Sequence, residues 1–236
     1  MEIKRFFTTA VLATAFFVLP FQVFGGSQDV SSATAATIIT NARYYLNESA
    51  ASFWSAAELL VYVNDGTRDI VSRTRCLEAT ESIDLANDTL EYTITENYID
   101  VTAVHYVDAN GDIKALKRGH PDDVGNVNMF GATEEPEYWY EWGNKIGVYP
   151  VLVTRTSQTI TVYYVSLPAD VASDAAVKTP AYLDRALTLY VAAQAFLKDR
   201  QLGRHAALMQ EYHAELDRFR QDFNVMMKPP NSEEAQ

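Results

Sequence analysis

Four histidines, one cysteine and a surplus of carboxylates are the side chains with which this sequence could do chemistry. His105 falls on the apolar side of the alternating stretch from Ile99 to Val107, which favours a satisfied core or interface histidine over an acid–base catalyst. His120 precedes Pro121-Asp122-Asp123 in a loop. His205 and His213 lie about 80° apart around a helix, which places them poorly for sharing a metal ion. A lone Cys76 excludes an intrachain disulfide framework and multi-cysteine zinc sites, and it reads as a small buried or half-buried filler.

The stretch Asp108-Ala109-Asn110-Gly111-Asp112 resembles the opening of a calcium loop but lacks the ligand spacing and the distal glutamate. A two-residue type I′ turn at Asn110-Gly111 is the favoured reading. Glu134, Glu135, Glu137 and Glu141 could supply a carboxylate pair for glycoside hydrolysis, although a solvated acidic edge is the commoner meaning of such a cluster. The sequence contains no glycine-rich phosphate loop, no G-x-S-x-G elbow and no H-E-x-x-H pair. No enzyme activity, metal or cofactor is expected.

The elements that must position these residues are bounded by size and charge. A chain of 236 residues with 48% hydrophobic content can bury one core, or a main domain with an inserted lobe. The 31 Asp and Glu against 19 Lys and Arg give a net charge of -12, which argues against gripping phosphate through counterion release. An acidic surface suits DNA that slides past without sticking. Residues 1–25 form a signal-like apolar leader or N-terminal extension: Lys4 and Arg5 precede an apolar run, and Val23-Phe24-Gly25 makes a poor cleavage site. Cleavage there would place the chain in the periplasm as an exported binding protein, with the aromatic strand as its ligand site.

Helical periodicity predicts N-terminal helices within residues 26–77. The second of them opens on a Ser55-to-Glu58 capping box and runs through Asn64-Asp65-Gly66. From 78 to 168 the period shifts to two, predicting a β-rich lobe of four to six short antiparallel strands. Residues 169–226 read as a C-terminal helical hairpin, or one kinked helix, with Thr179 as cap, Pro180 at the first helical position and a break at Gly203. Residues 227–236 read as a flexible tail. The expected fold is α+β: the N- and C-terminal helices form a helical bundle that carries the antiparallel lobe as an insert.

Within the lobe, Tyr138, Tyr140 and Trp142 fall on one face of a strand, while Trp139 and Glu141 fall on the other. Both faces call for cover. A neighbouring subunit and the C-terminal helices of the same chain are the two candidates.

The order of "ARYYLNESAASFWSAAELLVYVNDGTRDIVSR", "EPEYWYEWGNKIGVYPV", "ITVYYVSLPADV" and "TPAYLDRALTLYVAAQAFLKD" resembles the head-to-tail adaptor (connector) proteins of tailed bacteriophages. The likeness spans about residues 35 to 222. It rests on many weak positions, among them Leu46-Asn47, Trp54-Ser55 with Glu58-Leu59-Leu60, Asn64-Asp65-Gly66, Tyr149-Pro150 and Leu167-Pro168. The resemblance implies a structural virion protein of the neck without catalysis, forming a ring, commonly of twelve copies, under the portal protein. Tail or neck proteins would be its other partners, and DNA would pass through the channel without sequence-specific binding. It further implies that Met226, Met227, Lys228, Pro229, Pro230 and Asn231 dock on the portal, and that Tyr138, Trp139, Tyr140 and Trp142 lie at or near subunit contacts.

Overall fold

The computed structural model describes residues 30–48, 51–125, 135–151 and 157–223. Among them are four α-helices and two four-stranded sheets, so the chain is α+β. Helix α1 (Ala35–Leu46) starts where the Thr34 hydroxyl accepts the Thr37 amide, and it stops at Asn47 in a left-handed conformation (φ 53°). Helix α2 (Ala56–Thr74) starts at Ser55, whose hydroxyl accepts the Glu58 amide at 3.1 Å. The predicted capping box is only half formed. The Glu58 carboxylate turns instead to the Tyr62 hydroxyl and, at 2.6 Å, to the Lys198 ammonium.

Helix α2 continues unbroken through Asn64-Asp65-Gly66, and packing explains why a glycine sits there. A Cβ on Gly66 would lie 2.7 Å from Tyr190 and 2.8 Å from Leu187, so the two helices approach at van der Waals limits. Tyr190 and Leu187 belong to helix α3 (Asp184–Lys198), which pairs with helix α4 (Leu202–Asp222). The break between these helices falls at Asp199–Gln201, where Arg200 takes φ 58°, and Gly203 lies within the first turn of α4. The Gly203 expectation thus misplaces the break, because a single left-handed arginine made the turn without a glycine. Thr179 is likewise not the cap. Its side chain is fully buried, and a 3-10 turn at Ala181–Leu183 precedes α3.

All four helices contribute to one hydrophobic core, with Ile38, Leu59, Ile70, Leu187 and Phe219 fully buried within it. Cys76 packs half-buried against this core, and burial raises its thiol pKa. The Tyr212 hydroxyl on α4 donates to Asp69 on α2 at 2.5 Å, and Arg73 donates to the same carboxylate at 2.8 Å.

Strands β1 (Glu78–Asp84), β3 (Tyr98–Val107), β4 (Ile113–Ala115) and β8 (Thr159–Ser166) form one antiparallel sheet in the order β1-β8-β3-β4. Strands β2 (Glu91–Thr93), β5 (Lys117–Arg118), β6 (Tyr138–Trp142) and β7 (Lys145–Tyr149) form the other, in the order β2-β7-β6-β5. The strands outnumber the expected four to six, and β5 runs parallel to β6, so the second sheet is mixed. Val101, Val104, Tyr106, Ile160 and Val162 from the first sheet share a second core with Tyr92, Trp139, Ile146 and Val148 from the other.

The alternation expected for Ile99 to Asp108 breaks inside β3. Val101 faces Tyr164 and Ala103 faces Tyr163, so Thr102 is an extra residue in the ladder. Val101 is therefore buried on the same face as Val104 and Tyr106. The predicted hairpin to β4 is present with a different turn. The Gly111 amide bonds the Asp108 carbonyl, Gly111 takes φ 91°, and the Asp108 carboxylate accepts the amides of Asn110 and Asp112. That is a three-residue loop with a glycine bulge, held by an Asx turn, in place of type I′.

Two outcomes test this packing. Gly66→Ala should cost about 1–3 kcal/mol through overpacking, whereas Gly203→Ala, with open space around it, should stay within about 0.5 kcal/mol of wild type in chemical denaturation. Burial first, and then the bond to Asp69, hold the Tyr212 hydroxyl pKa well above its ordinary 10.0. A raised folded pKa contributes stability below pH 10.0 that is lost as pH rises. Tyr212→Phe should therefore show a shallower fall of Tm between about pH 9 and 11 than wild type.

Candidate assembly surfaces

Most of the side chains with reactive potential are engaged locally. The His105 ring lies 4.8 Å from the Tyr163 ring. His120 Nδ1 accepts the Asp122 amide, and His205 Nδ1 meets the Ala193 carbonyl at 3.0 Å. His213 contacts the Tyr212 ring. Glu135 faces Lys114 at 3.7 Å, Glu141 faces Arg118 at 3.3 Å and Glu137 is exposed; Glu134 lies outside the described residues. Among the described residues, no group of three His, Cys, Asp or Glu is placed to hold a metal ion.

The aromatic hairpin resolves differently from either expected cover. Strands β6 and β7 join through Gly143 and Asn144, with Gly143 at φ 61°, the backbone of a type II′ turn. Trp139 pairs with Val148 and points into the core between the sheets, only 2% exposed. Neither a neighbouring copy nor the C-terminal helices are needed to cover it: the first sheet does so, and the Arg118 guanidinium lies 5.0 Å from its ring.

The opposite face of the hairpin largely covers itself. Tyr138 stacks on its cross-strand partner Tyr149 with centroids 5.3 Å apart. Tyr140 lies across Gly147, where a Cβ would collide with its ring, and a Cβ at Gly119 would collide with the Tyr149 hydroxyl. The Tyr140 hydroxyl donates to Glu91 at 3.1 Å, and Lys145 donates to the same carboxylate at 2.9 Å. Burial and that bond push the Tyr140 hydroxyl pKa up to about 12. Trp142, at the tip beside the turn, remains 66% exposed. Of the four aromatics assigned to subunit contacts, Tyr138 is half-buried and Trp142 is the most open.

Further exposed apolar side chains, which the sequence pattern did not reveal, lie where α1 ends, α2 begins and α3 turns into α4. Tyr44, Tyr45, Phe53, Leu197 and Leu202 are all exposed there. Trp54 fixes the arrangement from below: it is buried, and its indole N–H donates to the Ala195 carbonyl at 3.1 Å. Arg43, only 9% exposed, donates to the Glu48 carboxylate and to the Trp54 carbonyl. Burial alone would raise the Glu48 pKa, but the amides of Phe53 and Ser52 and the Arg43 charge hold it below the ordinary carboxylate value. Lys198 lies 5.0 Å from the Phe53 ring. Residues 226–231, expected to dock on the portal, lie outside the described residues, as does the leader.

An α+β fold with two covered cores, locally engaged titratable groups and exposed aromatics defines a protein with surfaces for packing. A model of the SU10 adaptor protein family matches residues 33–232, and the chain belongs to that family. The resemblance to phage head-to-tail adaptors read from the sequence is borne out at the level of family. No curated protein matches. Among solved structures, a chain from the neck of an empty GTA particle computed with C6 symmetry is similar at 16% identity, covering 70% of this chain and 80% of that one. Its TM-score of 0.28 carries no structural argument.

The two tryptophans of the hairpin should separate cleanly. Trp139→Ala should cost about 3–5 kcal/mol in denaturant unfolding, since it empties the space between the sheets. Trp142→Ala should change stability by no more than about 0.5 kcal/mol.

Proposed function

We propose that the chain is the structural head-to-tail adaptor of a tailed phage, forming a ring under the portal that joins capsid to tail and lines the DNA exit channel. The observation that carries this reading is the family match across residues 33–232. The exposed aromatics and the charge of -12 fit it, because a ring component must meet neighbours while leaving DNA free to pass. The ring holds twelve copies, and the protein resides in the virion neck. The helical part, the β lobe and the tail divide the work at the boundaries read from the sequence: residues 26–77 with 169–226, residues 78–168, and residues 227–236. Nothing in the family match favours the exported binding protein.

Within this reading, Met226 to Asn231 dock on the portal, and Tyr138 and Trp142 take part in contacts between copies or with the next tail component. Deleting residues 226–231 should leave ring formation intact and abolish co-sedimentation with portal protein. Light scattering and electron microscopy of the full chain, alone and with portal, would check both outcomes. A protein that stays monomeric with portal present would overturn the adaptor reading.

A further inference from the structure

The outer face of the first sheet has no part in the aromatic hairpin, and two of its rows have a composition unusual for this chain. Two adjacent cross-strand rows run across it. One is Thr80, Tyr163 and Ala103; the other is Ser82, Thr161, His105 and Ala115. Their neighbours on the same strands, Val101, Val104, Ile160, Val162 and Tyr164, point into the core between the sheets, so both rows face outward. Neither row contains Asp, Glu, Lys or Arg, although charged residues make up 21% of the sequence and a larger share of a typical surface. The flanking rows do carry charge: one runs from Asp84 to Ile113, 69% exposed, and the other holds Glu78 and Asp100, the latter paired with Arg75.

We propose that these two uncharged rows across strands β1, β8, β3 and β4 are a contact surface for a second copy of the chain. The choice of occupant follows from charge. A basic partner would be drawn to the acidic surface that dominates a chain of net charge -12. An equally acidic partner is repelled there, at a cost that grows as the contact excludes water, and can approach closely only where no carboxylate is trapped. Another copy is the partner certain to carry that same charge. The hydroxyls of Thr80, Ser82 and Thr161 and the paired rings of His105 and Tyr163 can meet a neighbour without leaving an ion desolvated. The inference rests on the ring reading and names one of its surfaces.

Carboxylates placed on this face test it directly in the full chain. Thr161→Glu, in the central strand, and Ala115→Glu, on the short edge strand, should each raise the concentration needed for half-assembly at least tenfold in sedimentation. Ala214→Glu adds the same charge at an exposed site on α4 and should assemble like wild type. If wild type forms rings and both folded face variants do so at the same concentration, the proposed surface is wrong while the adaptor reading stands. Circular dichroism checks folding; if Thr161→Glu unfolds, Ala115→Glu alone decides. A wild-type chain that forms no ring, even with portal, overturns the adaptor reading and this surface with it.

Discussion

The helical core closes only because segments from opposite ends of the chain return to one another across the whole strand region, and the contact on which closure turns is Gly66 against Leu187 and Tyr190. Helices α1 and α2 alone have too little apolar surface to exclude water. They gain a core when α3 lies across both, and α3 can come close to α2 only where no side chain intervenes. Trp54 reinforces the same union, its indole N–H reaching a carbonyl 141 positions away in sequence. Such contacts are costly to form early, since the intervening chain must be ordered or looped out first. The strand region meets that demand by holding its own core, so its two ends emerge at a fixed separation: the Ser166 amide bonds the Leu77 carbonyl at 2.8 Å.

A few polar side chains then position the segments leading back to the helices. Asn64 brackets Val171, accepting its amide at 3.0 Å and donating to its carbonyl, while Arg68 joins Asp65 to Asp170. At the other approach, Ser31 donates to Asp184 and its amide bonds the Thr179 carbonyl. Asp184 is partly buried, and that burial raises its pKa. The Asn64-Asp65-Gly66 triplet, which by local rules is a turn, is therefore a helical segment in which each residue serves a tertiary contact.

Much of this was legible in the sequence, and the misses have physical causes. Helices α1 and α2 were read from caps and period because both signals are local. Strand β1, EATESID, has too few apolar residues for a period of two to register, and β5 is only two residues long, so the count of strands fell short. The bulge at Thr102 adds one residue without changing composition, so no pattern announces it. The turn after α3 eluded the glycine rule because Arg200 adopts the left-handed conformation itself. For the aromatic strand, the faces were read correctly, since parity alone fixes them. What covered each face was not, because the cover comes from a sheet distant in sequence and from Gly147, whose missing side chain admits the Tyr140 ring. The exposed side chains around Phe53 and Leu202 were invisible for a related reason: they come one or two at a time from four helix ends.

The acidity of the chain and the proposed assembly into a ring are compatible only under a geometric condition. Beyond about 10 Å in 0.1 M salt, the charges of adjacent copies are largely screened, so a net charge of -12 does not by itself keep copies apart. Repulsion matters where surfaces touch and water leaves, which confines copy-to-copy contact to faces with few carboxylates or with carboxylates already paired within the chain. Several acidic groups are committed internally: Glu91 to Lys145, Glu58 to Lys198, Asp100 to Arg75, and Glu215 to Arg185 and Arg218. The unpaired remainder is then free to face solvent. In the proposed ring around a DNA channel, the same screening length would let an acidic wall discourage adhesion at close range without opposing passage along the axis.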